Sequence, residues 1–168
     1  MRFDKRITAI RTDIASDYFK GLIKRKKFVQ GKKHTVISVY SPLYSLKNSK
    51  LSTQLLYGEE CNVYESSNGW SWVQSLRDHY VGYTPTKNLK KIKFYPTHKI
   101  TSLRTFIYSS SNIKSDVVNY LSFNSLVEVS GKKDSFYKIK NLGWCPKKDL
   151  SSLKTKNLDR AKMAKQYL

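Results

Sequence analysis

Three histidines and two cysteines are the side chains of this sequence best suited to proton transfer or nucleophilic attack near neutral pH. His34 and His98 lie in basic segments, and His79 lies in a predicted hairpin turn. Cys61 is flanked by polar residues on an alternating strand, which favours a core position, with a spatial Cys61–His79 pair as the alternative; Cys145 stands in a Trp-Cys-Pro context. The sequence also lacks HExxH, paired CxxC, GxSxG and glycine-rich phosphate-loop motifs. We therefore expect no catalytic residue, no metal and no cofactor.

Aromatic side chains offer a different chemistry, because flat amphipathic rings bind sugars and peptides with little loss of side-chain entropy. Trp70, Trp72, Tyr80 and Tyr83 are close in sequence and are the candidates for such a groove. Trp70 is in phase with the apolar strand and is predicted to fill the core. Trp72 and Tyr80 are out of phase, so both a core and a groove position stay open for them.

These residues belong to a sequence pattern that occurs twice, in 57–89 and in 126–150. Each copy has an alternating apolar strand, a polar turn with glycine, an aromatic-led strand, and a closing segment Gly-aromatic-x-Pro-x-x-Asn/Asp-Leu. Gly82 and Gly143 occupy the same place in the two closing segments. The pattern predicts a small β-barrel used twice, a structure typical of binding.

Composition allows two such small domains in 168 residues, with aromatic residues compensating for thin cores. The formal charge of +20 is compatible with a nucleic-acid partner. The lysines are spread over every region instead of forming one stripe, which favours a solvated basic surface. No segment has the length and apolar character of a secretory signal or a membrane span, so a soluble cytoplasmic protein without a membrane partner is expected.

Both ends of the chain are predicted to contain helix. Thr12 or Asp13 as the N-cap and Gly21 as the stop predict a short helix in the N-terminal leader. Near the C-terminus, apolar residues recur at three- and four-residue intervals, namely Leu158, Ala161, Ala164, Tyr167 and Leu168. This spacing predicts the start of an amphipathic helix that packs on a further domain; packing on the second barrel is the alternative.

Several segments together resemble a known family. Residues 52–59, 68–70 and 78–83 resemble the first bacterial SH3-like domain of NlpC-type cysteine peptidases of the dipeptidyl-peptidase VI (γ-D-glutamyl-diamino acid endopeptidase) group. Residues 142–150 resemble the end of its second SH3-like domain, and residues 159–168 resemble the first helix of its catalytic domain. The Asp-Cys-Ser-Gly segment that carries the family's nucleophile is absent.

The resemblance implies an all-β fold of two tandem SH3-like small barrels, with a helical leader and a C-terminal helix start. The expected division is a leader, a first barrel, a second barrel and the beginning of a missing catalytic domain, at residues 1–34, 35–92, 93–153 and 154–168.

In the family, the complete enzyme cleaves cell-wall stem peptides, and the first SH3-like domain helps to select a free N-terminal amine. Carried over to this sequence, the contributing residues are Glu59, Tyr80 and Tyr83, and Trp72 joins them as a candidate ligand-binding residue on its aromatic character alone. The expected function is the non-catalytic recognition half of a truncated peptidase, with a stem peptide or muropeptide and an NlpC-type catalytic domain as partners. A basic nucleic-acid-binding module, or a general protein-interaction module, is the alternative.

Overall fold

The chain is all-β in the computed structural model, which describes residues 3–47 and 49–154. It divides into two compact units, of which the first ends at Lys93 and the second begins at Phe94. Helical structure in the described ranges is limited to the short 3-10 helices Asp17–Phe19, Thr86–Asn88 and Lys147–Asp149. None of these helices is long and apolar enough to cross a membrane.

The strands of the first unit are β1 (Ile14–Ser16), β2 (Lys27–Val29), β3 (Lys32–Val36), β4 (Tyr40–Tyr44), β5 (Leu51–Leu56), β6 (Glu60–Ser67), β7 (Trp70–Ser75), β8 (Val81–Pro85) and β9 (Leu89–Lys90). Strands β3 to β9 form a seven-stranded sheet in the order β5-β4-β8-β7-β6-β3-β9. Its pairs are antiparallel. The short strands β1 and β2 pair in parallel outside this sheet.

Apolar residues occupy both faces of the seven-stranded sheet. Neighbouring residues of a strand point to opposite faces, so Val73 enters one cluster and Trp72 enters another. The inner cluster contains Val36, Leu43, Leu55, Cys61, Val63, Val73 and Leu89. The outer cluster contains Ala9, Ile14, Tyr64, Trp72 and Val81. The outer face is therefore covered by residues of the leader.

The predicted leader helix is wrong. Ile14 and Ala15 lie in β1, both fully buried, and the segment continues as the 3-10 helix Asp17–Phe19 before β2. The Asp13 carboxylate binds Arg11 instead of capping a helix. Burial of consecutive residues against the outer face outweighs local helix propensity here, because a helix this short has little stability of its own.

The strands of the second unit are β10 (His98–Ile100), β11 (Arg104–Tyr108), β12 (Val117–Ser122), β13 (Leu126–Val127), β14 (Val129–Lys133), β15 (Phe136–Ile139), β16 (Gly143–Pro146) and β17 (Leu150–Ser152). They form a three-stranded sheet, β13-β10-β17, and a five-stranded sheet, β12-β11-β16-β15-β14. The buried apolar residues of the second unit are Ile100, Ile107, Leu121, Val127, Phe136, Ile139, Cys145 and Leu150. The predicted C-terminal helix falls on residues 155–168, outside the described residues.

Candidate functional site

The leader is held on the first unit by main-chain as well as apolar contacts. The Val81 N–H donates to the Arg6 carbonyl at 2.7 Å, and the Gln74 Nε2 donates to the Ile7 carbonyl at 2.9 Å. The leader then reaches Ile14, which is 1% exposed in the outer cluster. Part of the leader thus lies beside the end of β7, at Gln74, and the start of β8, at Val81.

Arg11 of the leader makes the densest set of polar contacts on this face. Its guanidinium donates to both carboxylate oxygens of Asp13 at 2.6 Å and to the Tyr83 hydroxyl at 2.9 Å, and its Nη2 lies 2.7 Å from Glu65 Oε2. The guanidinium carbon lies 5.1 Å from the ring centroid of Trp72 and 5.9 Å from that of Tyr83. A cation between two carboxylates and two aromatic faces is well stabilised.

The ionisation of this cluster follows from its contacts. Hydrogen bonds from Arg11 lower the pKa of Asp13 to about 2. The same bonds, first that to Asp13 and then that to Glu65, raise the pKa of Arg11 despite partial desolvation. Arg11 and Asp13 are therefore both ionised at neutral pH.

Glu59 lies elsewhere, in the turn between β5 and β6. Gly58 takes a φ of 81° there, and Glu59 is 5% exposed. Its carboxylate accepts from the Leu56 N–H at 3.0 Å and forms an ion pair with Arg77. The Arg77 side chain is 53% exposed, so the buried carboxylate is neutralised by a cation that water reaches.

Tyr80 ends the same turn segment that carries Arg77. Its carbonyl accepts from the Ser75 N–H at 2.9 Å, and its ring packs, partly buried, against the inner cluster. The Leu76 N–H donates to the Glu60 carbonyl at 3.0 Å, which brings the 75–80 segment beside the turn that holds Glu59.

The four predicted site residues therefore form two pairs and not one surface. Trp72 and Tyr83 are register partners on the outer face, under Arg11. Glu59 forms its ion pair with Arg77 of the 75–80 segment, which ends at Tyr80, and the Tyr80 ring packs on the inner cluster. Side chains of an extended segment alternate between its two faces, so Tyr80 and Tyr83, three positions apart, are expected on opposite faces.

Sequence reasoning missed Arg11. The Arg-Thr-Asp spacing was a signal for its pairing with Asp13, because alternate residues of an extended segment share a side. Its contacts with Glu65, Trp72 and Tyr83 have no local signal. Trp70, predicted as core, is half-buried and packs edge-on against Tyr44 at 5.8 Å between centroids.

Neither cysteine has the surroundings of a nucleophile. Both are fully buried, and desolvation raises the pKa of Cys61 and of Cys145 to about 12. The residue opposite Cys61 in the β3–β6 register is His34, whose Nδ1 lies 2.9 Å from the Lys32 carbonyl oxygen. In the described ranges, no group of three or more His, Cys, Asp or Glu side chains is arranged to hold a metal ion.

The fold places the described part of the chain in the all-β class. Residues 45–89 match the family of the bacterial dipeptidyl-peptidase Sh3 domain. Glu59, Trp72, Tyr80 and Tyr83 all lie in this range. The chain thus carries a bacterial SH3 domain of the dipeptidyl-peptidase type.

A solved structure is similar in fold to this chain over more than residues 45–89. An NlpC/P60 family protein from Bacillus cereus ATCC 10987 is similar with a TM-score of 0.66 and 16% identity, over 80% of this chain and 63% of that chain. This chain therefore spans less than two thirds of the length of the Bacillus protein.

Two proteins from Trichomonas vaginalis, NlpC2 and NlpC1, match with TM-scores of 0.33. NlpC2 has 15% identity over 82% of this chain and 54% of its own. NlpC1 has 16% identity over 79% of this chain and 50% of its own. No curated protein sequence matches the chain.

Proposed function

We propose that the chain is the non-catalytic recognition part of a cell-wall endopeptidase, built from two tandem SH3-like small barrels, and that it binds peptidoglycan stem peptides or muropeptides. The observation that carries the proposal is the match of residues 45–89 to the dipeptidyl-peptidase SH3 domain. The likeness of fold to the Bacillus NlpC/P60 protein supports it. An NlpC-type catalytic domain is the second proposed partner, and the cytoplasm is the proposed location.

In this proposal, Glu59 and Tyr80 are the direct contacts of the ligand. A peptide ammonium is a good partner for a carboxylate and for an aromatic face. Glu59 already holds one cation, the guanidinium of Arg77, and the exposure of Arg77 makes it displaceable by another. The ligand ammonium would then replace Arg77 at the buried carboxylate.

Trp72 and Tyr83 take a supporting part in the proposal. Trp72 is 4% exposed, so its contribution is to hold Arg11 and the leader on the outer face. Tyr83 is less buried, and Lys47 Nζ also lies 5.5 Å from its ring centroid. Tyr83 therefore offers the ligand-accessible part of this aromatic pair.

The test is incubation of the chain with L-Ala-γ-D-Glu-diaminopimelate, with N-acetylated peptide as the control. Mass spectrometry is expected to find the peptide intact, because neither thiol is activated. Amide shift mapping is expected to show saturable binding of the free-amine peptide around residues 56–60 and 75–81, and weaker binding of the acetylated one. Cleavage that is lost in a Cys61→Ser or Cys145→Ser variant, or no difference between the two peptides, would overturn the proposal.

A further inference from the structure

The second unit has a cluster of cations around one tyrosine, at the end of the sheet where β14, β15 and β16 meet. Tyr137 in β15 is the register partner of Lys132 in β14, which puts these side chains next to each other. Lys147 Nζ lies 5.5 Å from the Tyr137 ring centroid, and the His98 ring lies 5.0 Å from it. We call His98, Lys132, Tyr137 and Lys147 the cationic cluster.

The corresponding positions of the first unit carry hydroxyl groups. The register pairs Trp70–Pro85 and Phe136–Pro146 align the two hairpins, so that Ser71 corresponds to Tyr137. By the same alignment, Ser66 corresponds to Lys132 and Thr86 to Lys147.

These three hydroxyl groups satisfy one another. Ser71 Oγ lies 2.8 Å from both Ser66 Oγ and Thr86 Oγ1. The same strand frame thus closes with uncharged residues in one unit, whereas in the other it carries Lys132 as the register partner of Tyr137 and the Lys147 ammonium near the Tyr137 ring. The fold itself does not require the lysines.

The cluster has few carboxylates to balance it. The second unit's ion pair in the described residues is Lys140–Glu128, at 2.6 Å. Asp149 accepts a hydrogen bond from Thr105 at 2.7 Å and is engaged inside the unit. The Lys147 ammonium donates to the main-chain carbonyl of Asp134, and no ion pair among the described residues joins it to a carboxylate. An external anion would stabilise both lysines.

The arrangement also fits more than one negative charge. Lys148 follows Lys147 directly in sequence and is exposed, whereas Lys133 lies on the opposite face of β14 from Lys132. Ammonium groups with aromatic and imidazole rings among them are a combination that binds chains of phosphates.

We propose that the cationic cluster of the second unit binds the phosphodiester groups of an anionic polymer. Lys132 and Lys147 contact one phosphate beside Tyr137 and His98, and Lys148 contacts its neighbour along the polymer. Recognition is of the phosphodiester groups. The proposal does not depend on stem-peptide binding by the first unit.

The experiment measures the affinity of the whole chain by fluorescence anisotropy for three labelled probes of equal charge. These are single-stranded DNA, a glycerol-phosphate oligomer and polyglutamate. The test variant is Lys132→Ser with Lys147→Thr, which installs the residues of the first unit. The matched control, Lys114→Ser with Lys154→Thr, removes the same charge from exposed sites of the same unit.

The test variant is expected to lose about tenfold in affinity for both phosphate probes, and the control less than about twofold. For DNA, the slope of log affinity against log salt is expected to fall by about 0.7, since the two lysines contact one phosphate and each lost phosphate contact removes about 0.7. Lys132→Arg with Lys147→Arg is expected to restore binding. Binding of one phosphate probe and not the other would name the source of the phosphodiester and support the site.

Three results would overturn the proposal. Equal losses in the test and control variants would mean that the total charge binds and the cluster does not. Equal affinity for polyglutamate would remove the preference for phosphodiester. No measurable binding of either phosphate probe at low salt, with the circular dichroism of a folded β-protein intact, would exclude the site.

Discussion

The two units share a strand frame but differ in how the outer face of that frame is covered. In both, a bulge follows the same valine position, between Val63 and Glu65 in one and between Val129 and Gly131 in the other. In both, a turn residue with positive φ precedes the long hairpin, Gly58 at 81° and Asn124 at 67°. The frame is therefore set by turns, bulges and the inner cluster.

The outer faces carry different residues at corresponding positions. The hairpin alignment pairs Trp72 with Lys138 and Tyr83 with Trp144. In the first unit the two aromatic rings take a cation from the leader, Arg11, whereas in the second unit Lys138 Nζ lies 5.9 Å from the Trp144 ring centroid within one hairpin. The first unit needs the leader to complete its packing at this position, and the second supplies its own cation.

The largest expected effect tests that difference directly. Trp72→Ala should destabilise the first unit by about 3 to 4 kcal/mol, because it removes a buried ring and leaves a cavity under the leader. Lys138→Ala, at the corresponding position, should change the second unit by less than about 0.5 kcal/mol. Urea unfolding followed by amide signals of each unit measures both; similar losses would break the comparison.

Next in size is the effect at the two closing glycines, which tests the shared frame. A Cβ at Gly82 would meet the Tyr44 carbonyl and Leu43, and a Cβ at Gly143 would meet the corresponding Tyr108 carbonyl and Ile107. Alanine at either glycine should therefore destabilise its unit by about 1 to 3 kcal/mol. Gly143 also has a φ of 150°, which adds strain.

Gly131→Ala is the matched control for these glycine variants. A Cβ there would lie 3.7 Å from Lys138 Cβ, an ordinary van der Waals distance. Thermal unfolding should be close to that of the parent chain. If alanine at Gly82 or Gly143 is tolerated as well as at Gly131, the alignment of the two closing segments is wrong.

The smallest effect concerns the ion cluster of the leader. The pKa of Asp13 is lowered by Arg11 to about 2, so its contribution to stability is present above the unfolded-state pKa of about 4 and is lost as the pH falls towards 2. Because Asp13 is exposed, the contribution should stay below about 1 kcal/mol. The difference in melting temperature between the parent and Asp13→Asn should therefore shrink between pH 4 and pH 2. A difference that is constant over this range would contradict the ionic account.

The inner cluster of the first unit was predictable from sequence because it depends on the alternation of apolar and polar residues along each strand. Cys61 and Val63 alternate with polar neighbours, and Cys61 is in the core as the pattern indicated. The leader was not predictable in the same way, since Ile14 and Ala15 fit a helix or a strand equally well on local grounds. Their strand structure follows from the outer face of β7 and β8, which is distant in sequence.

The candidate site was predictable only in part, for a related reason. Trp72 and Tyr83 belong to the predicted aromatic group, and the hairpin register makes them neighbours. The Glu59–Arg77 ion pair joins two turns, and the position of each turn residue depends on positive φ values that residue type alone does not fix, such as 63° at His79. Arg11 reached the site through the fold of the leader, for which no local signal existed.

The central claim, that Glu59 at the first unit receives the amine of a stem peptide, is tested most directly by removing its present cation. Arg77→Gln frees the buried carboxylate, so the affinity for L-Ala-γ-D-Glu-diaminopimelate should rise several-fold in a calorimetric titration, while Glu59→Gln should abolish binding. The N-acetylated peptide should gain nothing from Arg77→Gln. Equal affinities for the parent and both variants would contradict the claim.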